Sequence, residues 1–457
     1  EDEILAVELS DGTLLSVQHA FLTTGYTPNG GPAARPGSDR IVAEPYPLPE
    51  RMAAVAPGET VALGGFGLSA MDVMSCLTVG RGGRFEGERQ NLRYVPSGRE
   101  AILLLFSRTG VPSRARPPLV RFEPPYQPLV FTPAAVAALR ACGVLDFTRD
   151  LLPLILTEIR IAYRRCEARL AGAAALAALE ADLAAAAGHE GIAAVLDTLD
   201  LRLGRFDASA VFDGSAGMRL DDSAGYQAWL AAALRDDLAE SVLGFGGSPV
   251  KAGLDILRDL RDLVRRSVDF GALTRASLDE FYAQIIPQMN RAVVGPQFER
   301  HTELLALMSA GIAATPFGPA PEVAWDDRTG RWRISSTRLA VPVVRDVDWL
   351  ASGHFAMPAV DTSASPLLLA LHRRGLIRRI SPASRYVPGV ELDRDHHPLD
   401  SAGAPVRRLW VLGLLTEGSI FYNNLVPSPG VYSRPLADAH RCVTGMFAAD
   451  RVLVEPG

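Results

Sequence analysis

With 457 residues, 48% of them hydrophobic and 21% charged, the chain has the make-up of a globular protein with room for about three domains and large cores. Its net charge of −6 excludes a general nucleic-acid binder, which needs an excess of cations to displace counterions. No apolar run reaches the ~18 residues of a bilayer span; residues 173–187 come closest and are interrupted by Glu180 and Asp182. Cys76, Cys142, Cys166 and Cys442 are widely spaced with no C-x-x-C pair, which reads as small buried hydrophobes in a reducing cytoplasm and assigns no metal site.

In chain order, residues 3–9 and 14–22 read as strands joined by the turn Ser10-Asp11-Gly12-Thr13. The second ends in Thr23-Thr24-Gly25-Tyr26-Thr27-Pro28, where Gly25 lets backbone pass close to a ligand or simply turns the chain. The Gly- and Pro-rich residues 28–49 form an irregular connector. Residues 60–63 are a short apolar run suited to a buried parallel strand. Gly65, Gly67 and Ala70 then supply G-x-G-x-x-A, and a helix starts near Ser69. Such a turn bends tightly at the first glycine and admits a pyrophosphate at the second. The small third residue packs helix on strand, and the helix N-terminus offers free N–H groups. The same pattern also serves ordinary strand-to-helix turns.

A second apolar strand, residues 101–106, runs into Ser107-Arg108-Thr109. At this place a carboxylate reads the 2′-hydroxyl of NAD and an arginine accommodates the 2′-phosphate of NADP, so Arg108 points to NADPH. The separation of Gly67 from Arg108 is twice the usual ~20 residues, which makes residues 81–99 an insertion. The alternative for Arg108 is a solvated loop cation.

Residues 132–312 are Leu-, Ala- and Arg-rich with helical periodicity. Residues 255–268 place Leu257, Leu260 and Val264 on one helical face and Arg258, Arg261 and Arg265 on another, a solvated face rather than an anion-binding one. Gly244 to Ser248 reads as a helix-linking turn. Beyond Pro316 strands return: residues 323–325 and 331–336 as a hairpin, 343–350 ahead of a tight turn, and 409–413 ending at Gly413. Glu417-Gly418, then Phe421-Tyr422-Asn423-Asn424, precede a final helix over 435–447. His354, His396 and His397 read as solvated loop histidines, and no separate acid–base constellation stands out.

Residues 22–28, 61–72, 105–110, 248–307 (with Asn290-Arg291) and 409–435 together resemble a flavoprotein family, the FAD/NAD(P)-binding oxidoreductases similar to N-hydroxylating monooxygenases. The family's first G-x-G-x-x-G, which seats the FAD pyrophosphate, would lie before Glu1, so the resemblance implies an N-terminally incomplete chain. The implied fold class is α/β with two Rossmann-like dinucleotide-binding domains and a large helical insertion. The incomplete FAD domain takes residues 1–30 and 321–457, the NAD(P) domain 50–131, and the insertion 132–320. The resemblance puts NADPH at Gly65, Gly67, Ser69, Ala70 and Arg108, and FAD against Gly25, Gly413 and Gly418. Tyr422, Asn423 and Asn424 would line the pocket of a small-molecule substrate, although an amide pair after a turn also serves as a cap. Hydride would pass from NADPH to FAD, and the reduced flavin would use oxygen on the nitrogen of a small amine or amino acid, with an aspartate-like substrate possible. Two other readings stand beside it: a flavin reductase or dehydrogenase without oxygenation, and a non-enzymatic dinucleotide-binding protein whose helical insertion meets a partner.

Overall fold

The computed structural model describes residues 4–30, 38–88, 91–117, 125–354, 357–423 and 433–454. Its centre is a five-stranded parallel sheet in the order Ile41–Val42, Trp349–Ser352, Thr60–Gly64, Ile102–Phe106, Ala313–Ala314. Val61, Ala62 and Leu63 are all fully buried, as an unbroken apolar run requires in a parallel strand covered on both faces. The helix Leu68–Leu77 covers one face through Ala70, Met71, Val73, Met74 and Leu77. On the other, Ala62 packs with Phe317, Trp332, Ile334 and Val347 beneath the antiparallel strands Glu322–Asp326, Arg331–Ser335 and Val344–Val347.

The long interval between Gly67 and Arg108 is accommodated by a hairpin, Arg84–Glu86 with Arg93–Val95, so Ile102–Phe106 still pairs directly with Thr60–Gly64. From there the chain moves outward to Ala313–Ala314, then returns to the opposite side of the glycine strand at Trp349–Ser352. Sequence reading grouped residues 321–457 with the FAD segments, whereas Ser352 pairs with Gly64 in the glycine-turn sheet. Strand pairing across almost 300 residues carries no local signal.

A second parallel pair joins Ala20–Leu22 to Leu409–Val411, and Leu22, Val411, Leu415 and Ile420 share one core with Leu368. The connectors between the two sheets run side by side: the Asn29 side chain bonds Met357 O and Ala359 N, both at 3.0 Å, and Ala364 N donates to Pro28 O.

Helices fill the chain from Pro133–Ala141, which opens on a Thr132 cap and a proline, to Phe298–Ser309. Gly244, at φ 69°, kinks the helix Ser223–Gly247, and Ser248 caps the next one, Pro249–Asp259. The helix read over 255–268 breaks at Leu260 into Pro249–Asp259 and Arg261–Val268. Arg265 is not solvated: it is buried, pairs with Asp262, and donates to Tyr422 O at 3.0 Å. No helix among the described residues is long and apolar enough to cross a membrane.

Candidate nucleotide-binding site

The glycine turn sits where the strand order reverses. Gly65 has φ 131°, and its N–H donates to Phe106 O at 2.7 Å. A Cβ on Gly65 would lie 3.0 Å from Gly353 O, and one on Gly353 would lie 2.7 Å from the Ala70 Cβ. Gly353 N in turn donates to Gly64 O at 2.7 Å. The first and third small residues of the motif therefore both close against the turn after Trp349–Ser352. Gly67 differs. It caps the helix Leu68–Leu77 at φ −90°, ψ −169°, and a Cβ there meets nothing within 4 Å among the described residues. The turn is thus packed from below and open above, at the N-terminus of a helix, where a phosphate is favoured by free N–H groups and the helix dipole. Ser69 lies beside the Tyr46 hydroxyl, which donates to Asp72 at 2.5 Å.

Arg108 follows the adjacent strand and is exposed. Its guanidinium donates to Ala283 O at 2.7 Å and lies 5.6 Å from the centre of the Tyr386 ring. These residues, with Ala276, Asp279, Glu280 and Gln284, line a cavity of about 470 Å³.

Gly25 and Gly413, at φ 65° and 76°, both lie just past the carboxyl ends of the second parallel pair, and among the described residues a Cβ on either meets nothing within 4 Å. Gly418, at φ 100°, has a different reason to be glycine. A Cβ there would strike Pro388 O and lie 2.7 Å from Ile380 Cδ1, so the chain itself requires it.

Tyr422 and Asn423 belong to a turn held by a buried carboxylate. Glu417 accepts Tyr422 N at 2.9 Å, Asn423 N at 2.8 Å and the Tyr282 hydroxyl at 2.9 Å. The Asn423 amide nitrogen donates to Thr416 Oγ1 and Ile420 O, an internal cap, and Asn424 lies outside the described residues. Tyr422 has φ 63°, and the guanidiniums of Arg261 and Arg265 lie 4.8 and 5.3 Å from its ring centre. Burial raises the Glu417 carboxyl above the usual 4.5, despite those three donors. A folded-state pKa above the unfolded one gives stability that is fully present below 4.5 and lost as pH rises through the folded value. The stability advantage of wild type over Glu417→Gln is therefore expected to widen on acidification from about pH 7 towards 4.5, read by urea unfolding at each pH. A gap that narrows would contradict the assignment.

Of the three histidines read as solvated, only His354 is exposed; its Nδ1 lies 3.3 Å from Gly64 O, beside the turn. His396 and His397 are buried because they pack on the strand Leu409–Val411. Their Nδ1 atoms lie 3.3 Å from Val411 O and 3.1 Å from Leu409 O, and the His397 ring meets Trp410. Sequence reading missed Gly353 as part of the glycine turn, although Ala351-Ser352-Gly353-His354 repeats the strand-end pattern of Thr23-Thr24-Gly25-Tyr26. That repetition was the available signal.

An open parallel sheet that reverses its order at a glycine turn belongs to the class whose ligands lie in the crevice beyond the carboxyl ends of the strands. No family model matches the chain. The chain is similar to a nitrosuccinic acid synthase of Aspergillus oryzae, 29% identical over 456 residues, covering 97% of this chain and 68% of that protein. It is also similar to nitrosuccinate-forming L-aspartate N-monooxygenases of Streptomyces davaonensis and Streptomyces cremeus. Identity to the first is 32% over 415 residues, covering 86% of this chain and 62% of the relative. To the second it is 31% over 408 residues, covering 85% and 60%. The chain spans roughly three fifths to two thirds of these relatives' lengths.

Proposed function

We propose that this chain binds NADPH and FAD in two Rossmann-like units and acts as an N-oxidising monooxygenase on aspartate or a closely similar amino acid. The observation that carries the reading is the turn at Gly65, Gly67 and Ala70, closed below by Gly353 and open above Gly67, at the reversal point of a parallel sheet. The substrate and reaction class in this reading are supported by the names of the two Streptomyces relatives, L-aspartate N-monooxygenases, and the Aspergillus relative is named for the same nitrosuccinate product.

When bound, FAD supplies the redox and oxygen chemistry, with NADPH as hydride donor. The chain's own residues bind and orient. Gly65 bends the backbone, Gly67 leaves room for the pyrophosphate, and the helix from Leu68 directs free N–H groups at it. Gly25 and Gly413 leave open backbone beside each other for the flavin nucleotide. Glu417 fixes the 421–423 turn, with Asn423 as an internal positioner and the Tyr422 ring facing the substrate beside Arg261 and Arg265. Cations at that turn suit a substrate carrying carboxylates. The four cysteines, none in a disulfide among the described residues, suit a reducing, cytoplasmic location.

The test combines the chain with FAD, NADPH, oxygen and L-aspartate. Oxygen uptake matched to N-oxidised aspartate is expected; uptake that yields only peroxide would leave a reductase and overturn the monooxygenase reading. Arg108→Ala is expected to weaken NADPH about 10- to 100-fold while changing NADH less than about twofold, as loss of charged hydrogen bonds to one phosphate requires. Equal weakening of both would show that Arg108 does not read the 2′-phosphate.

A further inference from the structure

A second arginine stands beside Arg108. Arg385 lies 4.9 Å from the centre of the Tyr386 ring, and its guanidinium donates to the Tyr386 hydroxyl at 2.7 Å. Arg108 approaches the same ring at 5.6 Å. Neither guanidinium has a carboxylate within ion-pair distance among the described residues. Two unneutralised cations on one aromatic ring repel each other, an arrangement that an anion between them relieves.

The loop that presents Arg385 is fixed rather than slack. Ser384 Oγ accepts Tyr386 N at 3.0 Å and Val387 N at 3.1 Å while donating to Asp279. Asp279 is thereby turned to the loop, although it lines the same cavity with Glu280. The Arg385 guanidinium, and Arg108 after it, also hold the Tyr386 hydroxyl below the ordinary phenol value.

We propose that Arg385 and Tyr386 form the second half of a clamp with Arg108. The two guanidiniums grip the 2′-phosphate of NADPH, and the Tyr386 ring lies against its adenosine. The clamp rests on reading the Gly65 turn as the NADPH site. Strand geometry favours it, because Arg108 follows the strand directly paired with the glycine strand, where the adenosine ribose of a dinucleotide lies. It also brings residues of the loop after Arg379 to a nucleotide held by the parallel sheet.

The test is calorimetric titration of the full chain with 2′,5′-ADP and with 5′-AMP, for wild type, Arg385→Ala and Arg385→Lys. Arg385 is exposed, and its hydrogen bond and ring contact among the described residues are both to Tyr386, so both variants should keep the fold. Wild type is expected to prefer 2′,5′-ADP. Arg385→Ala should lose about 10- to 100-fold of that affinity, with 5′-AMP changed less than about twofold, and lysine should restore part of it. Unchanged 2′,5′-ADP affinity in Arg385→Ala, or equal loss for both ligands, would overturn the clamp. Wild-type binding of both ligands with no preference would overturn the clamp and leave the nucleotide site standing. Failure of wild type to bind either would overturn the NADPH reading beneath it.

Discussion

Gly353→Ala is expected to destabilise the chain by about 1–3 kcal/mol and to weaken NADPH by about tenfold or more. The new Cβ would lie 2.7 Å from the Ala70 Cβ and 2.9 Å from Gly64 O. Neither neighbour is the far end of a flexible side chain. The helix Leu68–Leu77 is locked by Met71, Met74 and Leu77 in the core, and Gly64 is locked by its strand pairs. Relief must come from the glycine turn itself, which also carries the close approach of Gly65 to Gly353 O. A single methyl therefore shifts the backbone that would hold the pyrophosphate. Urea unfolding and NADPH titration read the two effects, and a variant as stable and as tight as wild type would contradict this packing.

Asp237→Ala is expected to cost more in stability, about 3–5 kcal/mol, because it strands buried charge. The Asp237 carboxylate accepts Lys251 Nζ at 2.7 Å, Arg114 at 3.1 Å and Ala115 N at 2.6 Å. Burial alone would raise its pKa, but Lys251 and Arg114 overcome that and hold it below the usual carboxylate value. Removing it leaves Lys251 and Arg114 with only carbonyl acceptors, Ala115 O and Val211 O, and takes the acceptor from the Ala115 N–H. His301 beside them is fully buried, and burial pushes it down to about 4, so it stays neutral and adds no third cation. The cluster fastens residues 111–117 to the helices Ser223–Gly247 and Pro249–Asp259, with Tyr226 donating to Gly110 O. It thereby anchors the chain just beyond Arg108. Urea unfolding should show the loss, with Asp237→Asn intermediate; a change under about 1 kcal/mol would mean that the charges find other partners.

What the sequence made legible was local. The apolar run at 61–63, the spacing of Gly65, Gly67 and Ala70, and the helix after them are contiguous, and the structure holds them as a strand, a turn and a helix. The insertion between Gly67 and Arg108 was also readable from spacing, and it is a hairpin. What escaped depends on distant partners. Gly353 closes the turn from almost 300 residues away. His396 and His397 look like loop residues until Trp410 and the strand beneath them are in place. The break at Leu260 keeps apolar residues in phase across two helices, so periodicity alone reads one helix. Asn423 reads from the sequence as lining a substrate pocket, with a cap as the alternative, and its bond to Thr416 Oγ1 shows only in three dimensions.

The most direct measurement is NADPH affinity of Gly67→Val against wild type, with thermal unfolding of both. A Cβ at Gly67 meets no atom of the described residues within 4 Å beyond its chain neighbours, and its φ of −90° suits any residue, so the stability loss should stay within the about 0.5–2 kcal/mol of a poorer N-cap. If a pyrophosphate lies over that open backbone, the valine blocks it, and affinity should fall about 100-fold or more. A stable Gly67→Val chain that binds NADPH as tightly as wild type would contradict the account.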